Sequence, residues 1–312
     1  MHCNHSARSH WLTAFLLVVL ALPLGACGLT ARQKDAISKF AVATQQLSDV
    51  SAAELTQIRS DTVMLRTEMM AINPKSVDLT SRAEDLDGPC NLDALDVRLK
   101  ALSALKSYGS LLNSLATDDV SANVSASATT ILGNLKQLKS LNLTDDKAQV
   151  IGTAINALSN LAIEGYKAKT VRKIVPRLNP AMIAIATLVR DDLDPGVVGG
   201  FASGLNNTIH EKIDDTLVKY VELLQPGTGS TAEDISAKKA ALSTLQADCA
   251  RVDSQLKNAQ AQIQPAITNF SSSSSSLMVS VTSTDVSSDD IDAYFVQVTN
   301  LVRIYKAIRG SF

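Results

Sequence analysis

Apolar residues recur at steps of three and four along most of this chain, which is the spacing of one face of an α-helix. Ile37, Phe40, Thr44 and Leu47 keep that rhythm, and Leu55, Ile58, Thr62, Leu65, Met69 and Ile72 resume it. The spacing predicts a helix over Ala31–Ile72, capped by Thr30 and stopped by Asn73-Pro74. Between the two sets the steps run four and four through Ser51, and Ser51-Ala-Ala-Glu54 is itself a capping-box pattern. The helix therefore either shifts phase at Ser51 or breaks there. If continuous, it reaches about 60 Å at 1.5 Å per residue.

A loop over 73–92, rich in Pro, Gly, Asp and Ser, separates this helix from the next. Helical patterns then cover Asp93–Ala116, Ser121–Ser140, Asp145–Val175, Pro180–Leu193 and Val197–Leu224. Asn179-Pro180 has the form of a cap followed by Pro at the first helical position, and Asp194-Pro195-Gly196 has the form of a stop. Ser230-Thr-Ala-Glu233 is a capping box opening a helix to about Gln264. In it Leu242, Leu245, Cys249, Val252, Leu256, Ala259 and Ile263 alternate steps of three and four, a coiled-coil seam. The serine run Ser271–Ser276 reads as the start of a connector over 271–288, and Leu277–Thr284 alternates weakly, as a short strand would. A last helix opens at Ser288-Asp289-Asp290, with Ile291, Tyr294, Val298, Leu301, Tyr305 and Ile308 on one face. The expected fold is all-α, an elongated multi-helix bundle with long coiled-coil-like helices and a short β segment near 277–284 as its one exception.

Composition agrees with helices. Hydrophobic residues are 46% and aromatic residues only 4%, enough apolar surface for a core without the aromatic content of a sandwich or barrel. The 29 basic and 31 acidic residues give no bias toward nucleic acid.

The N-terminus stands apart from the bundle. Trp11–Leu22 is a continuous apolar run, too short to span a bilayer as a mature helix but suited to a signal-peptide core. Leu24-Gly25-Ala26-Cys27 follows. This order resembles the lipobox of bacterial lipoproteins. The resemblance implies recognition of Leu24, Gly25 and Ala26 by lipoprotein signal peptidase, cleavage after Ala26, and a diacylglyceryl thioether and N-acyl chain on Cys27. Residues 1–26 would then be removed and 27–312 would form a single helical domain, carrying no cofactor beyond these covalent lipids. Gly28, where an Asp would favour inner-membrane retention, implies the outer membrane with the bundle facing the periplasm. Two or three acyl chains hold a protein on a membrane stably, at about 0.8 kcal/mol per buried CH₂, whereas one does not.

Removal of the leader narrows the chemistry. His2, His5 and His10 leave, so a Ser-His-Asp or Cys-His catalyst would have to use His210. No nucleophile elbow surrounds His210, and no histidine-rich metal site remains. Cys3 also leaves, and Cys27 is acylated. Cys90 and Cys249 remain, either as a disulfide in an exported chain or as two separate thiols. A bridge would close 159 residues, worth about 5 kcal/mol in the chain-entropy model.

Three constellations remain. Lys167, Lys169, Arg172, Lys173 and Arg177 fall within one arc at 100° per residue, opposite Ile174, Val175 and Leu178. They form either a contact for anionic headgroups or an acidic partner, or an ordinary solvated face. Gly200-x-x-x-Gly204 marks close helix packing or a mobile turn. The Asp pairs at 118–119, 145–146, 191–192, 214–215 and 289–290 read as caps and solvated positions, since adjacent helical residues do not share a face. The function expected is that of a membrane-anchored, non-enzymatic envelope scaffold or adaptor that binds a partner protein. A membrane-perturbing protein, with 181–204 or 270–284 as its apolar insert in a layout that resembles helical pore-forming toxins, is the alternative, and an enzyme ranks third.

Overall fold

The computed structural model describes residues 29–72, 86–117, 122–139, 149, 153–154, 171–223, 231–283 and 288–309. It is an all-α bundle in which long helices pack against one another. In chain order the helices are α1 (Ala31–Ile72), a 3-10 turn (Gly88–Cys90), α2 (Leu92–Ala116), α3 (Ala122–Lys139), α4 (Val171–Asp192), α5 (Phe201–Leu223), α6 (Ala232–Thr282) and α7 (Asp289–Arg309).

α1 is the central rod, packed by α2, α5, α6 and α7. It is continuous through Ser51. The four-and-four stutter turns Ser51 and Glu54 inward, so the core face of α1 becomes polar there without breaking. Hydroxyls along α1 return to their own backbone: Thr44 Oγ1 donates to the Phe40 carbonyl (2.7 Å), Ser48 Oγ to Thr44 (2.8 Å) and Thr62 Oγ1 to Ile58 (2.8 Å).

α2 runs antiparallel to α1, with Ser38 Oγ donating to Asn113 Oδ1 (3.0 Å) at one end and Lys106 pairing with Asp49 (2.7 Å) further along. They cross closely at Gly109, where a Cβ would lie 2.6 Å from the Ala41 carbonyl oxygen. α3 lays Val124, Ala128, Ile131 and Leu135 against α2.

α6, with 51 residues, is about 76 Å long at 1.5 Å per residue. It opens on a capping box formed by Thr231 and Asp234, one residue beyond the Ser230–Glu233 pair that the pattern suggested. It also passes through Pro265 and the whole serine run to Thr282. The expected connector at 271–288 and the strand at 277–284 are therefore corrected: 271–282 is helix. Phe270, Ser273 with Ser274, Leu277 and Ser280 with Val281 are its buried positions, a helical spacing in which serines occupy core sites. A hydrophobicity pattern cannot register those positions, because the side chains that fill them are polar.

α4 likewise runs through Pro176 and Pro180, so Asn179 is not a cap. Its side chain is fully buried: Tyr108 Oη donates to Asn179 Oδ1, and Asn179 Nδ2 donates to the Ser274 carbonyl (2.6 Å). Three helices meet on this amide. Burial pushes the Tyr108 hydroxyl far above its ordinary range. The aromatic trio Phe40, Phe270 and Tyr294, with centroids 5.4–6.0 Å apart, joins α1, α6 and α7. Most of the expected helix over Asp145–Val175 lies outside the described residues.

Candidate interaction surfaces and buried polar clusters

The first turn of α1 is locked to the last turn of α6. The Gln33 N–H donates to Thr30 Oγ1 (3.2 Å) and the Thr30 N–H to Gln33 Oε1 (2.8 Å), a reciprocal cap. Gln33 Nε2 then donates to the carbonyls of Ser280 (2.7 Å) and Ser283 (3.0 Å), satisfying acceptors that a helix end leaves open. Leu29 packs partly buried against the core. Beside it Lys39 Nζ bridges Asp35 (2.8 Å) and Asp292 (2.9 Å). These two carboxylates push Lys39 up to about 12, and the Lys39 ammonium holds Asp292 below the usual carboxylate range. Leu24, Gly25, Ala26 and Cys27 lie outside the described residues, ending two positions before Leu29.

The basic stretch divides. Lys167 and Lys169 lie outside the described residues. Arg172, Lys173 and Arg177 are exposed on the outer face of α4, with Ile174, Val175 and Leu178 buried behind them.

Cys90 and Cys249 do not form the expected bridge; both are free, buried thiols. Each faces a different neighbour. Cys90 Sγ lies 3.7 Å from the Phe201 carbonyl, at the start of α5, and beside Thr62. Cys249 faces Glu68 of α1 and Asp248 of its own helix. Burial pushes the thiols up to about 11 and about 12 respectively.

Around the 3-10 turn two ion pairs point inward. Arg59 Nε (2.8 Å) and Nη2 (2.6 Å) both donate to Asp87 Oδ2. Arg98 Nη2 donates to Asp192 Oδ1 (2.7 Å), and its guanidinium lies 4.3 Å from the Phe201 ring centroid. Burial raises the Asp192 carboxyl, opposed by Arg98. The two glycines of Gly200-x-x-x-Gly204 serve close packing here. A Cβ at Gly204 would lie 2.6 Å from Pro89 Cγ, and one at Gly200 would lie 2.8 Å from the Asp191 carbonyl oxygen.

A second buried cluster left little trace in the sequence pattern. Arg309, in the last turn of α7, is 5% exposed in its side chain and reaches two α1 carboxylates. Nη2 and Nε donate to Glu54 Oε1 (2.9 Å) and Oε2 (3.2 Å), and Nη1 donates to Asp61 Oδ2 (3.1 Å) and Gln255 Oε1 (2.9 Å). Burial raises Glu54 above the usual carboxylate range, and Arg309 pulls it back. Burial also opposes the Arg309 charge, but Glu54 and Asp61 outweigh it. The only advance sign was Glu54 falling on the apolar stripe at the stutter.

On the surface, an open groove runs between α6 and α7, lined by Gln262, Asp292, Val296, Gln297, Asn300 and Arg303. Val296 is 57% exposed within it. His210 is exposed on α5. The Asp pairs at 118–119 and 145–146 lie outside the described residues, and Asp289-Asp290 occupies the first turn of α7. Among the described residues no group of His, Cys, Asp and Glu is placed to hold a metal ion, and no helix is long and apolar enough to cross a membrane. The apolar positions of 181–204 and 270–282 are mostly core, including Met182, Ile185, Val189, Phe201, Phe270, Leu277 and Val281. No protein family, curated protein or solved structure matches the chain.

Proposed function

We propose that this protein is a lipid-anchored envelope scaffold or adaptor, acylated at Cys27 and held at the outer membrane with its helices facing the periplasm, where it binds a partner protein through helix surfaces. The observation that carries this reading is the lock at the base of α1. Only Gly28 separates Cys27 from Leu29, and Leu29 already packs on the bundle. Gln33 then fastens the first turn of α1 to the end of α6. Acyl chains on Cys27 would be joined to a rigid body, within about 10 Å of it at 3.3–3.6 Å per extended residue. Reach from the membrane would come from α1 and α6 themselves.

The groove between α6 and α7 is the surface that this reading assigns to a partner. It combines an exposed valine, amides able to donate and accept, and charges of both signs, the mixture found at protein interfaces. The inward charges at Arg59–Asp87, Arg98–Asp192 and Arg309–Glu54 are used to clamp elements of the bundle together. The acylation half of the reading is tested by labelling with palmitate in the presence and absence of globomycin. Label on the product, with precursor accumulating under globomycin, is expected. An unlabelled product of Cys27→Ser mobility would overturn it. The adaptor half is tested by replacing Val296 and Asn300 with arginine: loss of crosslinked partners, with acylation intact, is expected.

A further inference from the structure

The structure sets two features that are far apart in the sequence, the base of α1 and the basic residues of α4, at the same height along α6. Along α6, Asn179 of α4 meets Ser274 and Gln264 meets Arg190, so α4 and α6 run antiparallel in even register. Extending that register by seven residues puts Arg172 level with about residue 281. Gln33 of α1 is bonded at Ser280 and Ser283. Arg172 and Lys173 therefore stand at the height of the first turn of α1, with Arg177 a little more than one turn above them.

The acidic start of α7 stands at the same end but on the other side. Asn269, Ser273 and Ser276 of α6 reach α7, as Gln255 does further along, and Gln260 and Gln264 reach toward α4 and its C-terminal end. At 100° per residue these two sets lie on opposite faces of α6. On the α7 side Lys39 pairs with Asp35 and Asp292, Arg32 acts on Asp292, and Asp289 and Asp290 share the first turn of α7, so these groups are four negative charges and two positive. On the α4 side Arg172, Lys173 and Arg177 are exposed, with no ion pair to an acidic side chain among the described residues. The charge at this end is thus divided across the bundle.

We infer that the bundle takes one preferred tilt on its membrane, with Arg172, Lys173 and Arg177 on the phosphates of anionic phospholipid headgroups and the acidic first turn of α7 turned away. This rests on the anchor at Cys27 proposed above. Basic residues near an anionic leaflet attract it over about a Debye length, about 8 Å at physiological ionic strength, and the anchor would bring Arg172 and Lys173 to about that distance. The tilt would leave the α6–α7 groove on the raised side, open to a partner.

The test uses the acylated chain on vesicles of phosphatidylcholine alone and of an equal mixture of phosphatidylcholine and phosphatidylglycerol. A water-soluble amine reagent reports exposure of Lys173, with Lys239, near the far end of α6, as internal reference. On the mixed vesicles Lys173 should label about fivefold more slowly than on phosphatidylcholine, and the difference should vanish near 1 M salt, where the Debye length is about 3 Å. In the double variant Arg172→Glu, Arg177→Glu the protection should be lost. Stable binding to both vesicles with equal Lys173 labelling overturns the tilt and leaves the anchor standing. Binding to the mixed vesicles alone, with Lys173 protected, supports the basic edge and overturns the anchor. Binding to neither overturns both.

Discussion

The Arg309 side chain donates four hydrogen bonds, to Glu54, Asp61 and Gln255, and its surroundings set a sharp expectation. Arg309→Ala leaves Glu54 and Asp61 buried together without a cation, which costs about 3–5 kcal/mol. Denaturant titration at neutral pH measures this directly. Glu54→Gln, which keeps the shape and removes one charge, should cost less. Burial raises the Glu54 pKa in the folded state. Such a group adds stability in full below its unfolded pKa and loses it as pH rises through the folded value. The Arg309→Ala defect should therefore shrink toward acid pH. The thiols give a second expectation. Cys90 and Cys249, held protonated by burial at about 11 and about 12, should resist alkylation at neutral pH in the native protein and react together in denaturant. The native mass should not change with reductant. Gly109→Ala drives a methyl to 2.6 Å from a backbone oxygen of α1 and should destabilise by about 1–3 kcal/mol through displaced packing.

Among the elements, α6 departs furthest from its sequence pattern. Its serines divide by face: Ser273 and Ser274 are buried against neighbouring helices, while Ser272 and Ser275 are exposed. Ser273 Oγ donates to the Asp290 carbonyl (2.8 Å), so a small polar residue suits the approach of α7. Ser274→Leu should destabilise by about 1–3 kcal/mol or more from overpacking. The pair Ser272→Ala, Ser275→Ala should instead stabilise by a few tenths of a kcal/mol per site, since alanine has the higher helix propensity. A connector would show neither effect in thermal unfolding. At the base of α1, Gln33→Ala removes a reciprocal cap and two buried bonds to α6. Hydrogen exchange in the first turns of α1 should then rise while the amides around Ile58 stay protected.

For the whole molecule, α6 determines reach. Cys249 faces Glu68 and Arg251 approaches Met64, so Leu245 stands level with Ile72, and the first 13 residues of α6 run past the end of α1. Anchored at the base, the far end of α6 should stand about 60–75 Å from the bilayer, a height that neutron reflectometry on supported membranes resolves. A layer half as thick would mean that the bundle lies flat.

The sequence by itself determined the helices and their inward faces wherever apolar side chains mark the core. Ala31–Ile72 was legible to the residue, and the seam from Leu245 to Ile263 is buried as its spacing requires. It was silent or misleading wherever the core positions are polar. Serines at 273 and 274 carry no hydrophobic signal, and Asn179 before a proline resembles a cap until Tyr108 and Ser274 are seen to use it. Local pattern records only how a residue partitions against water, whereas the Ser273 and Asn179 side chains are buried because partners from other helices satisfy them, and Ser274 is buried where its backbone carbonyl accepts from Asn179. For the same reason the Arg309 clamp, the separation of Cys90 from Cys249, and the height of Arg172 and Lys173 level with the base of α1 were decided by tertiary structure. Each depends on which helices become neighbours, and at what height, which is a property of packing between segments and not of any segment alone.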